Sequence, residues 1–155
     1  MSFGVRVLCV GRKSSPWDKI TDHYARLIRP LARVEVEFVR PVRLCPPNPG
    51  LIAEKESTRL QSRWKKTEYP VSLSSEGTQR DSREFAQWLR AHQRASRTVV
   101  FGIGGAYGLS TEVKRASREI ISLSPMTLAH ELCLAVLVEQ LYRAFTILTN
   151  HPYHK

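Results

Sequence analysis

The end of the chain, Thr149-Asn150-His151-Pro152-Tyr153-His154-Lys155, gathers an aromatic ring, two imidazoles and an ammonium around a rigid proline. Such a set can stack on a nucleobase, move a proton and touch a phosphate, whereas fraying is the ordinary fate of a terminus. His151 and His154, without an acidic or thiol companion nearby, make a poor metal site. Upstream, Glu139 and Arg143 lie one helical turn apart in the acid-before-base order that favours an ion pair. Charges in an otherwise apolar helix need partners, which an interface or polar cavity supplies more readily than a dry core does. His130, at the start of the same helix, reads as a cap or a core histidine.

Of three loops that could bring backbone against a ligand, two carry the more particular sequences. Gly102-Ile103-Gly104-Gly105-Ala106-Tyr107-Gly108 permits close approach and positive φ. It lacks the Lys-Ser/Thr ending of a Walker loop, and Tyr107 stands where a dinucleotide fingerprint needs its last glycine. A plain strand-to-helix turn carries about equal weight. In Ser122-Leu123-Ser124-Pro125-Met126-Thr127-Leu128, Pro125 forbids a direct helical continuation, leaving main-chain donors and acceptors that could hold an adenine edge. A simple connection with helix-capping Ser or Thr would look much the same.

The elements that must position these loops follow from hydrophobic period. Strands are expected at Phe3 to Val10, Val34 to Val39, Tyr69 to Leu73, Thr98 to Ile103 and Glu119 to Leu123. Helices are expected at about Trp17 to Ala32, after a turn at Lys13-Ser14-Ser15-Pro16, and at Leu51 to Lys66, Ser82 to Arg94, Ser110 to Arg118 and His130 to Phe145. Pro41, Pro46, Pro47 and Pro49 with Gly50 mark a stiff loop, and Ser74 to Gln79 reads as a polar one. Alternation of strand and helix predicts an α/β fold, a parallel sheet with flanking helices. Ligands of such sheets settle at the carboxyl ends of strands, which singles out Leu73 to Gly77, Gly102 to Gly108 and Leu123 to Leu128.

A chain of 155 residues is one domain's worth, so residues 1–155 are read as a single unit. Lys and Arg outnumber Asp and Glu by 24 to 14, a formal charge of +10 that favours a polyanionic partner. Nucleic acid is preferred over anionic membrane, because no run approaches a spanning helix and no basic amphipathic segment ends the chain. Lys55, Arg59 and Arg63 form a basic stripe, either a solvated face or a secondary RNA contact. Cys9, Cys45 and Cys133 are odd in number and widely spaced, which argues for reduced, mostly buried thiols. The opening, Met1 to Val10, carries Arg6 and no small-residue cleavage pattern after it, so a cytoplasmic protein is expected.

Four blocks in order carry a resemblance: Ile103 to Ser110 (IGGAYGLS), Leu123 to Leu128 (LSPMTL) with His130, Glu139 to Ala144 (EQLYRA), and Asn150 to Lys155 (NHPYHK). In these the chain resembles the SPOUT superfamily, and within it the small bacterial 23S rRNA pseudouridine N3-methyltransferases, over its full length. The resemblance implies a C-terminal trefoil knot, a rare exception among folds. It implies a homodimer packed largely through the apolar C-terminal helix, and S-adenosylmethionine held by Leu73, Gly104, Leu123, Ser124, Pro125, Met126, Thr127 and Leu128. The implied substrate is a pseudouridine of 23S rRNA in the assembled ribosome. In the mechanism we expect, methyl passes in line to N3, with His154 as base, Tyr153 stacking or hydrogen bonding, and Arg143, oriented by Glu139, supporting the anionic nucleobase. Leu134 stands where the family often has Arg, and Ser74 where it often has Asp. A non-catalytic module binding ribosomal RNA and a nucleotide hydrolase are the rival classes.

Overall fold

The computed structural model describes residues 3–14 and 16–155. Ten elements alternate along the chain: β1 (Val5–Val10), α1 (Trp17–Ile28), β2 (Val34–Val39), α2 (Pro49–Gln61), β3 (Tyr69–Gln79), α3 (Ser82–Arg94), β4 (Val99–Ile103), α4 (Thr111–Ala116), β5 (Glu119–Ser122) and α5 (His130–Leu148). The strands form one parallel sheet in the order β2-β1-β4-β3-β5. Alternation along β1 explains its two buried faces. Val5, Val7 and Cys9 join the larger core under α1, α3 and α5, while Leu8 and Val10 join Val39, Leu60 and Val100 on the other face.

Local chemistry sets the boundaries. The α2 helix begins two residues inside the expected stiff loop, because Asn48 accepts from the Leu51 N–H and Pro49 occupies the first turn, where its missing N–H costs nothing. Asp81 and Glu84 form a reciprocal capping box at the start of α3. Beyond Ile28, Pro30 brings no N–H to extend α1 toward Ala32. Of the turn read at Lys13-Ser14-Ser15-Pro16, Ser15 lies outside the described residues, as do Met1 and Ser2.

One expectation is corrected. Ser74 to Gln79 is not a loop but the continuation of β3, which pairs with β5 in two registers, so that Leu73 and Thr78 are both partners of Ile121. At Gly77 the two strands touch so closely that a Cβ would lie 2.7 Å from the main chain of Ile120 and Ile121. Within the chain, α1 and α3 flank α5 over the sheet, and none of its residues is fully exposed. Finally, Cys45 is exposed, whereas Cys9 is buried. Burial pushes the Cys9 thiol up to about 12 and that of Cys133 to about 11, so neither is a nucleophile at neutral pH.

His92 is buried between the rings of Tyr69 and Trp88, each 4.5 Å away, with no partner for Nδ1 among the described residues. Burial, reinforced by the charge of Arg97, lowers its pKa below the ordinary 6.5. The folded chain therefore binds fewer protons here than the unfolded one, and stability falls as pH drops through and below about 6.5. Urea unfolding at about pH 7.5 and about pH 5.5 should show a smaller acid loss for His92→Phe than for the parent chain. Equal losses would refute this source of acid sensitivity.

Candidate active site

The carboxyl ends of β3, β4 and β5 converge on an open cleft, the place where ligands of parallel sheets settle. Leu73, Gly104, Leu123, Ser124, Met126, Thr127 and Leu128 all line it. Pro125 does not: it turns the loop with its ring exposed on the outside. Gly104 is required by proximity, since a Cβ there would stand 2.5 Å from the carbonyl carbon of Gly108. Gly108 turns the loop with φ of 74°, a conformation side chains resist.

The 122–128 loop is braced from within. The Ser122 hydroxyl donates to the Ser124 carbonyl at 2.9 Å, and the Met126 N–H donates to the Ser124 hydroxyl at 3.0 Å. Among the described residues, the N–H groups of Thr127 and Leu128 donate to nothing within the chain. Unpaired donors beside the apolar walls of Leu73, Leu109 and Leu123 suit a planar base held edge-on by main chain. Sequence reasoning missed His130 and Cys133 as wall residues, because a lone His or Cys on a helix carries no signal of its own. Ser74 also lines the cleft, so that departure falls within the wall, whereas Leu134 is buried in the core.

A second polar cluster occupies the other end of α5. Asn150, with φ of 56°, ends the helix in the left-handed turn that Asn tolerates, and the His151 N–H returns to the Thr146 carbonyl at 2.8 Å. This folds the tail back on α5. There Arg143 pairs with Glu139, its guanidinium lies 4.8 Å over the Tyr153 ring, and its Nη1 is 3.3 Å from Nδ1 of His154. The Tyr153 hydroxyl donates to Glu139 at 3.1 Å. Thus Glu139, Arg143, Tyr153 and His154 form one constellation, packed on Tyr142 and Tyr24.

The electrostatics assign protonation states. The hydrogen bond that Arg143 donates to Glu139 raises its pKa further, so that group is permanently cationic. Burial, then hydrogen bonding to Tyr24 and Glu139, raises the Tyr153 phenol above its ordinary range, which keeps it protonated at neutral pH. Because a guanidinium only donates, Nδ1 of His154 accepts, and a neutral imidazole carries its proton on Nε2. His154 must release Arg143 before it can take a proton at Nδ1.

Within one chain the tail does not stand beside the cleft. His130 in the cleft wall and Arg143 in the cluster are separated along α5 by about 20 Å at the helical rise.

Comparison with known proteins defines the class first. A probable methyltransferase from Bordetella pertussis Tohama I superposes with a TM-score of 0.55 at 16% identity, covering 92% of this chain and 93% of that one. A probable methylase family protein from Haemophilus influenzae Rd KW20 gives 0.56 at 12% identity, covering 99% and 70% respectively. At such identities what is shared is the α/β fold. Curated relatives named ribosomal RNA large subunit methyltransferase H are much nearer in sequence. The protein from Gloeobacter violaceus is 36% identical over 97% of this chain and 97% of its own, and that from Geobacter sulfurreducens 37% over 97% and 98%. Residues 3–154 match the family model of predicted SPOUT methyltransferases, and the chain belongs to that family. Membership implies the trefoil knot and makes the chain an enzyme of methyl transfer, which sets aside the nucleotide hydrolase and the non-catalytic module.

Proposed function

We propose that this enzyme transfers the methyl group of S-adenosylmethionine to N3 of a pseudouridine in 23S rRNA, acting in the cytoplasm on the assembled ribosome. The observation that carries the reading is the convergence of three strand ends on an apolar cleft edged by unpaired main-chain donors, in a chain of this family. The cleft fits the cofactor: Leu73, Leu109 and Leu123 offer faces to an adenine, and the N–H groups of Thr127 and Leu128 offer donors to its edge. When bound, the sulfonium cofactor supplies an electrophilic methyl that needs little further activation. The residues of this chain then have to align the nucleobase and dispose of the N3 proton.

Tyr153 is the proposed stacking or hydrogen-bonding partner, and Arg143, paired with Glu139, the proposed cation that neutralises charge developing on the base as N3–H and S–CH3 break and N3–CH3 forms. His154 is the proposed proton acceptor once Nδ1 is freed from Arg143. The distance along α5 between tail and cleft supports a homodimer in which the tail of one chain completes the cleft of its partner.

Mass spectrometry of 23S rRNA from cells with and without the gene should show one methyl missing from one pseudouridine when it is absent; identical spectra would overturn the assignment. His154→Ala should slow transfer on ribosomes about a hundred-fold, the low end for a general base. Undiminished turnover would remove His154 from the role of base.

A further inference from the structure

An open groove lies beside the carboxyl ends of β1 and β2, between the 40–44 segment and α2. Arg12, Arg40, Arg43, Lys55 and Arg59 line it together with Pro41, Val42 and Leu44, and no carboxylate is among the lining residues. All five cations are exposed. Four of them, Arg12, Arg40, Arg43 and Lys55, make no side-chain hydrogen bond or ion pair among the described residues. By contrast, Arg6, Arg63, Arg80 and Arg143 are each held by a carboxylate.

The groove is also built rather than incidental. Arg59 donates to the carbonyls of Arg40 at 2.9 Å and Pro41 at 3.2 Å, pinning the segment to α2. Glu56, buried beneath, accepts from the Val42 N–H at 3.0 Å. The basic stripe of α2 thereby divides: Lys55 and Arg59 enter the groove, while Arg63 turns away to Glu37.

Its location relates it to the cleft. Arg12 lines both this groove and a smaller depression that contains His130, and His130 in turn lines the cleft. Gly11, next to Arg12, is packed so near that a Cβ would stand 3.2 Å from the His130 ring. A chain of phosphates laid along the groove would therefore run to the lip of the cleft at the same edge of the sheet.

We infer that this groove is a track for the sugar-phosphate backbone of the substrate RNA, with Arg12, Arg40, Arg43 and Lys55 as phosphate contacts and Arg59 as the residue that fixes the track's wall. This deepens, and rests on, the reading of the chain as an RNA methyltransferase. Clustered exposed cations, with no carboxylate in the groove's lining, recognise phosphates through charge and counterion release, which is independent of base sequence.

The test is fluorescence anisotropy with a labelled mixed-sequence RNA hairpin, using the full chain between about 50 and about 200 mM salt. The double variant Arg40→Ala/Arg43→Ala is compared with Arg90→Ala/Arg94→Ala, which removes two exposed cations from α3 outside the groove. The groove variant should bind about ten-fold more weakly at the lower salt, and its slope of log K against log salt should fall by about two, one per lost phosphate contact. The α3 variant should keep the parent slope.

Unchanged slope in the groove variant, or an equal loss in the α3 variant, would overturn the proposal. So would a chain that binds phosphatidylglycerol vesicles through these arginines while ignoring the hairpin. Calorimetry with S-adenosylmethionine separates this from the parent reading. Lost cofactor binding with an intact groove effect would condemn the methyltransferase chemistry alone, whereas intact cofactor binding with no groove effect would condemn the track alone.

Discussion

Arg143→Ala should lower the single-turnover rate of methyl transfer to ribosomes about 10²- to 10³-fold, with affinity for S-adenosylmethionine changed by less than about three-fold. The asymmetry follows from where Arg143 is. It lines no part of the cleft, yet it is the hub of the tail cluster, pairing with Glu139, underlying the Tyr153 ring and holding Nδ1 of His154. Truncation removes the cation proposed to meet the anionic nucleobase and also leaves the half-buried Glu139 carboxylate without its main counter-charge. Arg143→Lys should recover only part of the rate, because a point charge cannot serve Glu139 and His154 through one planar fork. Far-ultraviolet circular dichroism would establish that both variants fold. A folded Arg143→Ala protein with parental turnover would remove the tail cluster from the chemistry.

The parts of this site that were legible in the sequence are those fixed by local pattern. Apolar runs ending in Ile103-Gly104-Gly105 and Leu123-Ser124-Pro125 announce strand ends with loops that cannot continue as helix, and both loops do line the cleft. The spacing of Glu139 and Arg143 likewise foretells their ion pair, since four residues return a helix to the same face. What pattern could not show is contact between segments that meet only through tertiary structure. Ser74 to Gln79 is polar enough to read as a loop, and only its pairing with β5 makes it strand. The closure of Tyr153 and His154 on Arg143 depends on the left-handed turn at Asn150, which the residue type permits but does not dictate. The apolar length of α5 is open to two accounts for the same reason: burial against α1 and α3 leaves the same signature as burial against a partner.

Gly77→Ala should cost the fold about 3 kcal/mol, at the upper end of what overpacking usually exacts. The crossing of β3 and β5 is where the reason lies. β3 pairs with β5 before and after the irregularity at 74–77, and Gly77 rests on the backbone of Ile120 and Ile121. A methyl group there would meet three main-chain atoms at 2.7 Å, none of which is the yielding end of a side chain. Relief would require β5 to move away from its partners, and Ile121 is 2% exposed in the core, so packing would be lost with it. Gly108→Ala provides the comparison. It faces open space and suffers only the left-handed backbone, a penalty of about 1–2 kcal/mol. Urea titration of both variants should therefore show the larger fall in midpoint for Gly77→Ala, despite its unexceptional φ. A Gly77→Ala protein within about 0.5 kcal/mol of the parent would mean that the crossing can open without loss, and that the close approach of these strands does not hold the cleft together.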